Sequence, residues 1–417
     1  MKVAIVGGGF SGLAAAYKLT KTNHEVTLFE KEKSLGGLSG TFRLPSWQWA
    51  IEKHYHHFFT NDFSAIKLIK ELGLSQKLIF PATLTSVYYQ GKIYPFNTPE
   101  QILKFSPLSI LDRFRLGAIS VFFKLLPPSF ALYLEKMTAY EGVKKIYGKN
   151  AFEIVWEPLL VGKFGPPDGG YAKIVNLAWF WARVKKRTLS LSYLAGSYQA
   201  LIDEIASAIQ KNGGKIITSV SFDPKSSGRF DKVIITTPSP TFIKMFPELP
   251  QDYKKRLSSI PHLYALNLLL ITKEKFLKDT YWLNINDRKF PFISIVAQTN
   301  MIDKKYYGGN HLTWIGNYLP DNHVYLKMTK EELFNLYLPY LKRINPHFNL
   351  QPTTDNSQLF FGSFAQPVLP VNYSKIKPDF KTPIPNVFLA NMDMVYPWDR
   401  GVNYAIELGV KAAELIK

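Results

Sequence analysis

The sequence predicts an α/β chain: a Rossmann-like βαβ unit that opens at the N-terminus, is interrupted by an inserted α+β unit, and is completed at the C-terminus. Three observations carry this. A short apolar strand runs into a glycine turn and a helix within residues 2–19, a second strand ends in an acid at Glu30, and a strand, loop and helix recur at residues 386–417. At 417 residues the chain has room for two to three domain equivalents. Its 46% hydrophobic and 20% charged content excludes disordered and collagen-like classes.

Lys2–Val6 reads as a buried strand, followed by Gly7-Gly8-Gly9-Phe10-Ser11-Gly12 and the helix-forming residues 13–19. Gly7 permits the tight turn, Gly9 lets backbone approach a pyrophosphate, and Gly12 lets the helix pack closely on the sheet. The helix N-terminus then offers free N–H groups to phosphates. The second strand, Glu25–Phe29, delivers Glu30 where an acid accepts hydrogen bonds from an adenosine ribose, with Lys31 beside it. These elements in register predict a dinucleotide site.

Residues 31–40, KEKSLGGLSG, place Gly36-Gly37 shortly after Glu30. This resembles the extended FAD signature of the glutathione-reductase-like flavoproteins, especially the amine oxidase superfamily, in which the glycine pair approaches the phosphates and ribityl chain. Leu38 stands where many members carry Arg. The resemblance implies a glutathione-reductase-type, FAD-binding Rossmann-like domain. Residues 195–220, a helix then a strand, resemble the segment whose backbone meets the adenine, around Val220. Residues 230–240, FDKVIITTPSP, resemble the strand and Pro-containing turn lining the cofactor, which includes Thr237. Residues 386–417 are similar to the closing FAD motif: a strand to Ala390, then Asp393 for the ribityl or pyrophosphate region, then Gly401 opening a helix whose Val402 and Asn403 N–H groups would approach the flavin pyrimidine edge. A helix N-terminus there suits the negative charge of a reduced flavin. Arg400, in the unusually polar YPWDRG loop, is a candidate functional residue, or a structural ion-pairing one.

With those blocks at 1–79, 195–250 and 386–417, the stretches 80–194 and 251–385 are expected to form the inserted substrate domain. The first is expected to be largely helical, over 100–105, 110–126, 129–147 and 151–160. The second is expected to hold strands 264–271, 292–297 and 311–314 and a helix 330–342, giving a mixed sheet. Residues 142–165 resemble the protoporphyrinogen oxidase and phytoene desaturase branch. Lys163 falls there in a predicted Gly-rich turn; it is read either as a flavin-side lysine ordering a water for reoxidation or as a surface lysine.

Residues 52–62, EKHYHHFFTND, hold three histidines in four positions. His54 and His56 would share a face of a strand, but no HExxH helix accompanies them and no metal is expected. The segment resembles the histidine-containing loop of UDP-galactopyranose mutase, which closes over the flavin; this implies that His56 or His57 faces the isoalloxazine.

The chain has no cysteine, which excludes a disulfide framework, thiolate metal sites and cysteine nucleophiles, and is compatible with a cytoplasmic setting. Its net charge of +19 suits anionic lipid or a phosphate-bearing ligand; the basic residues form no run of five and no nucleic-acid module, so no nucleic-acid partner is expected. Residues 116–134 are apolar but carry Lys124 and Pro127-Pro128, so each piece is too short to span a bilayer, while an apolar face is able to lie in the inner membrane surface with Arg113, Arg115, Lys124 and Lys136 at head groups. Two ordinary core helices are the alternative. The functional expectation is an FAD-dependent oxidoreductase that takes a hydride from a C–H bond of a largely apolar small molecule. A flavin-dependent sugar-nucleotide mutase and a scaffold that keeps FAD for structure are the competing readings. The sequence does not fix an oligomeric state.

Overall fold

A computed structural model describes residues 1–348 and 357–416, so Lys417 at the end of the closing block lies outside it. Strand Lys2–Val6 has a buried, β-branched and apolar interior and sits at the centre of a five-stranded parallel sheet. The order is Lys215–Ile217, Glu25–Phe29, Lys2–Val6, Lys232–Ile235, Val387–Leu389. A continuous apolar strand is what a parallel sheet covered on both faces requires. Helices Phe10–Thr20, Ser197–Lys211 and Val402–Glu414 pack together on this sheet. Gly12 and Gly409 make that packing possible. A Cβ on Gly12 would lie 1.9 Å from the Gly7 carbonyl oxygen, and one on Gly409 would lie 2.1 Å from that of Ser11.

A seven-stranded mixed sheet stands beside it, in the order Ser357–Pro367, His262–Thr272, His311–Leu319, Ser294–Ala297, Thr280–Ile285, Leu84–Tyr89, Lys92–Pro95. Its pairs are antiparallel except Thr280–Ile285 with Leu84–Tyr89. The stretch 80–194 is largely helical, as expected, but its first part is a hairpin of this sheet. Gln90 and Gly91, both at positive φ, make the hairpin turn.

The rest of that stretch is mainly helical, apart from strand Leu191–Leu194, which pairs with Phe58–Phe59 and Leu78–Ile79, and two of the predicted helices need correction. The predicted helix 129–147 is broken into Ala131–Leu134 and Ala139–Tyr147, because Thr138 caps the second by accepting from the Glu141 N–H. The predicted helix 151–160 continues to Phe164 through a π-helical turn at Phe152–Trp156. Helix Leu177–Lys186, with its mostly buried LAWFWA start, was not anticipated; Asn176 caps it.

Candidate active site

The glycine turn shows two kinds of glycine. Gly7 sits at φ +111° and a Cβ there would strike the Thr236 hydroxyl, so Gly7 and Gly12 serve the fold. Gly9 differs, because the nearest atom to its Cβ position is the Gly37 Cα at 4.0 Å, and Gly401 is equally open. Both positions border space free of protein. Gly36 and Gly37, at positive φ, pack directly on the turn, with the Gly36 N–H donating to the Gly8 carbonyl at 2.8 Å. The N–H groups of Phe10, Ser11 and Gly12 have no protein acceptor among the described residues, and neither do those of Val402 and Asn403.

The side chains around these donors are largely committed. Phe10 is buried edge-on against Tyr198, the Ser11 hydroxyl donates to the Ala390 carbonyl, and the Asn403 amide oxygen caps the Ala65 N–H. Glu30 is buried and accepts from the Gly8 and Glu32 N–H groups, and its own carbonyl accepts from Val220 N–H, which sets Val220 beside it. Lys31 points outward and pairs with Glu32. The Thr237 hydroxyl is buried without a partner. Asp393 is buried, with one carboxylate oxygen 2.7 Å from His262 Nε2 and the other unpartnered. The sequence reading did not include His262, Thr236, which braces the glycine turn, or Asn391, which ties the closing strand to Thr237 and Ser239. Open glycine faces, unpaired helix N-terminal donors and orphaned polar atoms fit a dinucleotide. Gly9, Gly36, Gly37, Glu30, Val220 and Thr237, with the N–H groups of Phe10, Ser11 and Gly12, would hold its adenosine and phosphate part, and Asp393 with Gly401, Val402 and Asn403 the flavin end, while Gly7 shapes the turn.

At that end four elements converge. Lys163 is not in a turn but near the end of helix Glu157–Phe164, and its side chain is only 11% exposed, which overturns the surface reading. Its Nζ lies 3.5 Å from Asp399 and 4.9 and 5.1 Å over the rings of Trp179 and Tyr318. Trp179 and Arg183, one turn apart on helix Leu177–Lys186, both donate to Asp399, as does Gln366 at 3.2 Å. Arg400 stacks 5.0 Å over Tyr318 and donates to its hydroxyl. Burial pushes the Lys163 ammonium well below its ordinary pKa, with Asp399 opposing. Burial alone would raise the Asp399 carboxyl, but Lys163, Arg183 and Arg400 together hold it below the usual range. Arg183 and Arg187, four residues apart and both exposed, lie close enough to His57 to disfavour its protonation.

The histidine segment is irregular between strands Ile51–Glu52 and Phe58–Phe59, so His54 and His56 do not share a strand face. His54 Nδ1 accepts from Asn267. His56 Nδ1 donates to the His54 carbonyl, leaving its Nε2 3.3 Å from the Ser39 hydroxyl, next to Leu38, which lies against Gly362. His57 meets Tyr281, and its ring is edge-on to Trp282. Burial lowers the three to about 3, 4 and 3 respectively, so all are neutral at pH 7. No group of metal-ligating side chains occurs among the described residues.

A parallel sheet with a glycine turn, a terminal acid bound to it, and two helix N-termini whose N–H groups have no acceptor among the described residues defines a dinucleotide-binding protein. The family model described as flavin containing amine oxidoreductase matches residues 10–417, and the chain belongs to that family of FAD-dependent oxidoreductases. It is 23% identical to coproporphyrinogen III oxidase of Staphylococcus aureus over 67% of this chain and 69% of that protein. It is 25% identical to 15-cis-phytoene desaturase of Synechococcus elongatus over 52% of this chain, spanning about half (49%) of the desaturase. The fold is also that of reduced UDP-galactopyranose mutase, with a TM-score of 0.70 at 15% identity, covering 100% of this chain and 93% of the mutase.

Proposed function

We propose that this oxidoreductase removes a hydride from a C–H bond of a largely apolar small molecule. The observation that carries the reading is the wall at the Gly401 end, where aromatic rings dominate and titratable groups are neutral or paired. Trp179, Tyr318, Tyr55 and Trp282 provide the apolar surface, with Tyr55 and Trp282 in edge contact at 5.0 Å. His56 and His57 add neutral rings. FAD, when bound, supplies a two-electron acceptor, so little acid–base chemistry is asked of the protein. Arg400 and the N-terminus of helix Val402–Glu414 would stabilise negative charge gathered there. Lys163, biased toward its neutral form, would hold a water at Nζ. The phytoene desaturase among the relatives supports the apolar substrate class, and the coproporphyrinogen oxidase supports oxidation of the substrate by the flavin.

The test is anaerobic mixing of flavin-loaded protein with isoprenoids, porphyrinogens and amines, following the flavin bands. Bleaching by one of the apolar compounds is expected; no bleaching by any of them removes the reading. A sugar-nucleotide mutase is the second reading, favoured by the exposed guanidiniums of Arg183 and Arg187 near His57, which suit a diphosphate. Turnover of UDP-galactopyranose only after reduction would establish it, and calorimetry showing no nucleotide-sugar binding would remove it.

A further inference from the structure

Helix Ile110–Leu125 has two apolar faces. Leu116 and Phe123 point into the helical core, as a surface helix requires. Leu111, Phe114, Ala118, Val121, Phe122 and Leu125 follow the same helical period on the opposite side and face water, with Leu111 82% and Leu125 76% exposed. At the Pro127-Pro128 pair the chain bends by 108°, and the next arm adds exposed Phe130, Leu132 and Tyr133. A contiguous apolar ridge of this kind marks an interaction surface. No single helix among the described residues is long and apolar enough to cross a membrane.

The rim of the ridge selects the partner. Lys124 and Lys136 flank it, Lys136 lying over the Tyr133 ring, and Arg115 reaches the backbone of exposed Lys145, beside Lys144. A second copy would bring the same cations face to face across a two-fold contact; an anionic bilayer would attract them. The ridge is also fastened to the C-terminal end of helix Leu177–Lys186, which carries Trp179 and Arg183 to Asp399. Lys124 Nζ donates to the Arg187 carbonyl at 2.7 Å, and Lys185 Nζ donates to the carbonyls of Lys124 and Leu126 at the end of the helix.

We propose that residues 110–134 form a bent wedge that seats the protein on the surface of a bilayer containing anionic lipid, with the Arg187 end of helix Leu177–Lys186 held near that surface. A corollary, resting on the apolar-substrate reading above, is that substrate enters from the lipid; the docking itself does not depend on it.

The experiment is flotation of the flavin-loaded protein with vesicles of phosphatidylcholine alone or mixed with phosphatidylglycerol. The wild-type protein is expected to float with the mixed vesicles. The combined variant Leu111→Ser, Phe114→Ser, Phe122→Ser, Leu125→Ser alters only exposed positions, and its flavin spectrum and melting curve report folding. It is expected to lose partitioning by at least about tenfold. Because the chain has no cysteine, Leu125→Cys also accepts a single polarity-sensitive dye, whose emission is expected to shift blue on mixed vesicles while the same dye on Val324→Cys does not. Wild-type protein that stays with the pellet, a serine variant that floats as well as wild type, or self-association through the ridge without lipid binding would each overturn the proposal. Intact flotation with no apolar compound bleaching the flavin would leave the docking standing and remove the substrate reading.

Discussion

Asp399 illustrates how much one buried carboxylate organises. It accepts from Trp179, Arg183 and Gln366 and faces Lys163. It also supplies an attraction that keeps the Lys163 ammonium from being lost altogether to burial. Asp399→Asn is expected to move the limb of the pH–rate profile governed by Lys163 to lower pH and, because Lys163 already acts in its neutral form, to leave turnover at neutral pH within about tenfold of the wild type. Asp399→Glu should restore most of the profile, whereas a purely structural role would change stability and leave the profile in place. Glu52 gives a different test. It is buried beneath the histidine segment, accepts from the Tyr193 hydroxyl and the Tyr198 N–H, and burial raises it to about 7. Unfolded, it releases its proton near 4.5, so between those values the folded state holds more protons and stability falls as pH rises. Glu52→Gln removes that loss. Compared with their difference below pH 4.5, the variant should gain about 3 kcal/mol on the wild type by pH 8, read from urea midpoints across pH.

At the scale of elements, the closest approach is between helices Phe10–Thr20 and Val402–Glu414. Gly409→Ala would push a methyl into the Ser11 carbonyl and force the helices apart. It is expected to cost about 1–3 kcal/mol and to lower the flavin content of purified protein, because the glycine turn moves with its helix. Gly117→Ala, where a Cβ meets open space, should instead stabilise by about 0.5–1 kcal/mol; equal melting shifts for both variants would contradict the packing argument. This scale also shows what local sequence encodes. The glycine turn, Glu30 and both opening strands were readable because their spacing is set within one βαβ unit. The break before Ala139 was written as a Thr-x-x-Glu cap at Thr138, and the hairpin turn as Gln90-Gly91; both signals were overlooked. The meeting of Lys163, Trp179, Arg183, Tyr318 and Asp399 was not readable, because it is created by the packing of helices and a strand distant in the chain, and none of the five stands in a recognisable spacing with another except Trp179 and Arg183.

For the molecule as a whole, the space beside the glycine turn and the closing helix is lined by N–H donors that have no protein acceptor among the described residues. Stripping the flavin should therefore lower the melting temperature, and restoring FAD at a hundredfold excess over its dissociation constant should return about 2.7 kcal/mol. Hydrogen exchange should locate the gain at the amides of Phe10, Ser11, Gly12, Val402 and Asn403, with strands such as His311–Leu319 changing far less. Uniform protection across both sheets would argue against the site described.

The central strand Lys2–Val6 takes its partners on one side from Lys232–Ile235 and, beyond that, Val387–Leu389, and the helix after it rests on Val402–Glu414. During synthesis strand Lys2–Val6 thus waits for Val387–Leu389 and Val402–Glu414, made far later in the chain, before its sheet and its cradle are complete. Until then its apolar edge is open to wrong partners, so cofactor capture waits for the closing strand and helix, and a chaperone that shields Lys2–Val6 as it emerges should raise the yield of yellow protein more than added riboflavin does.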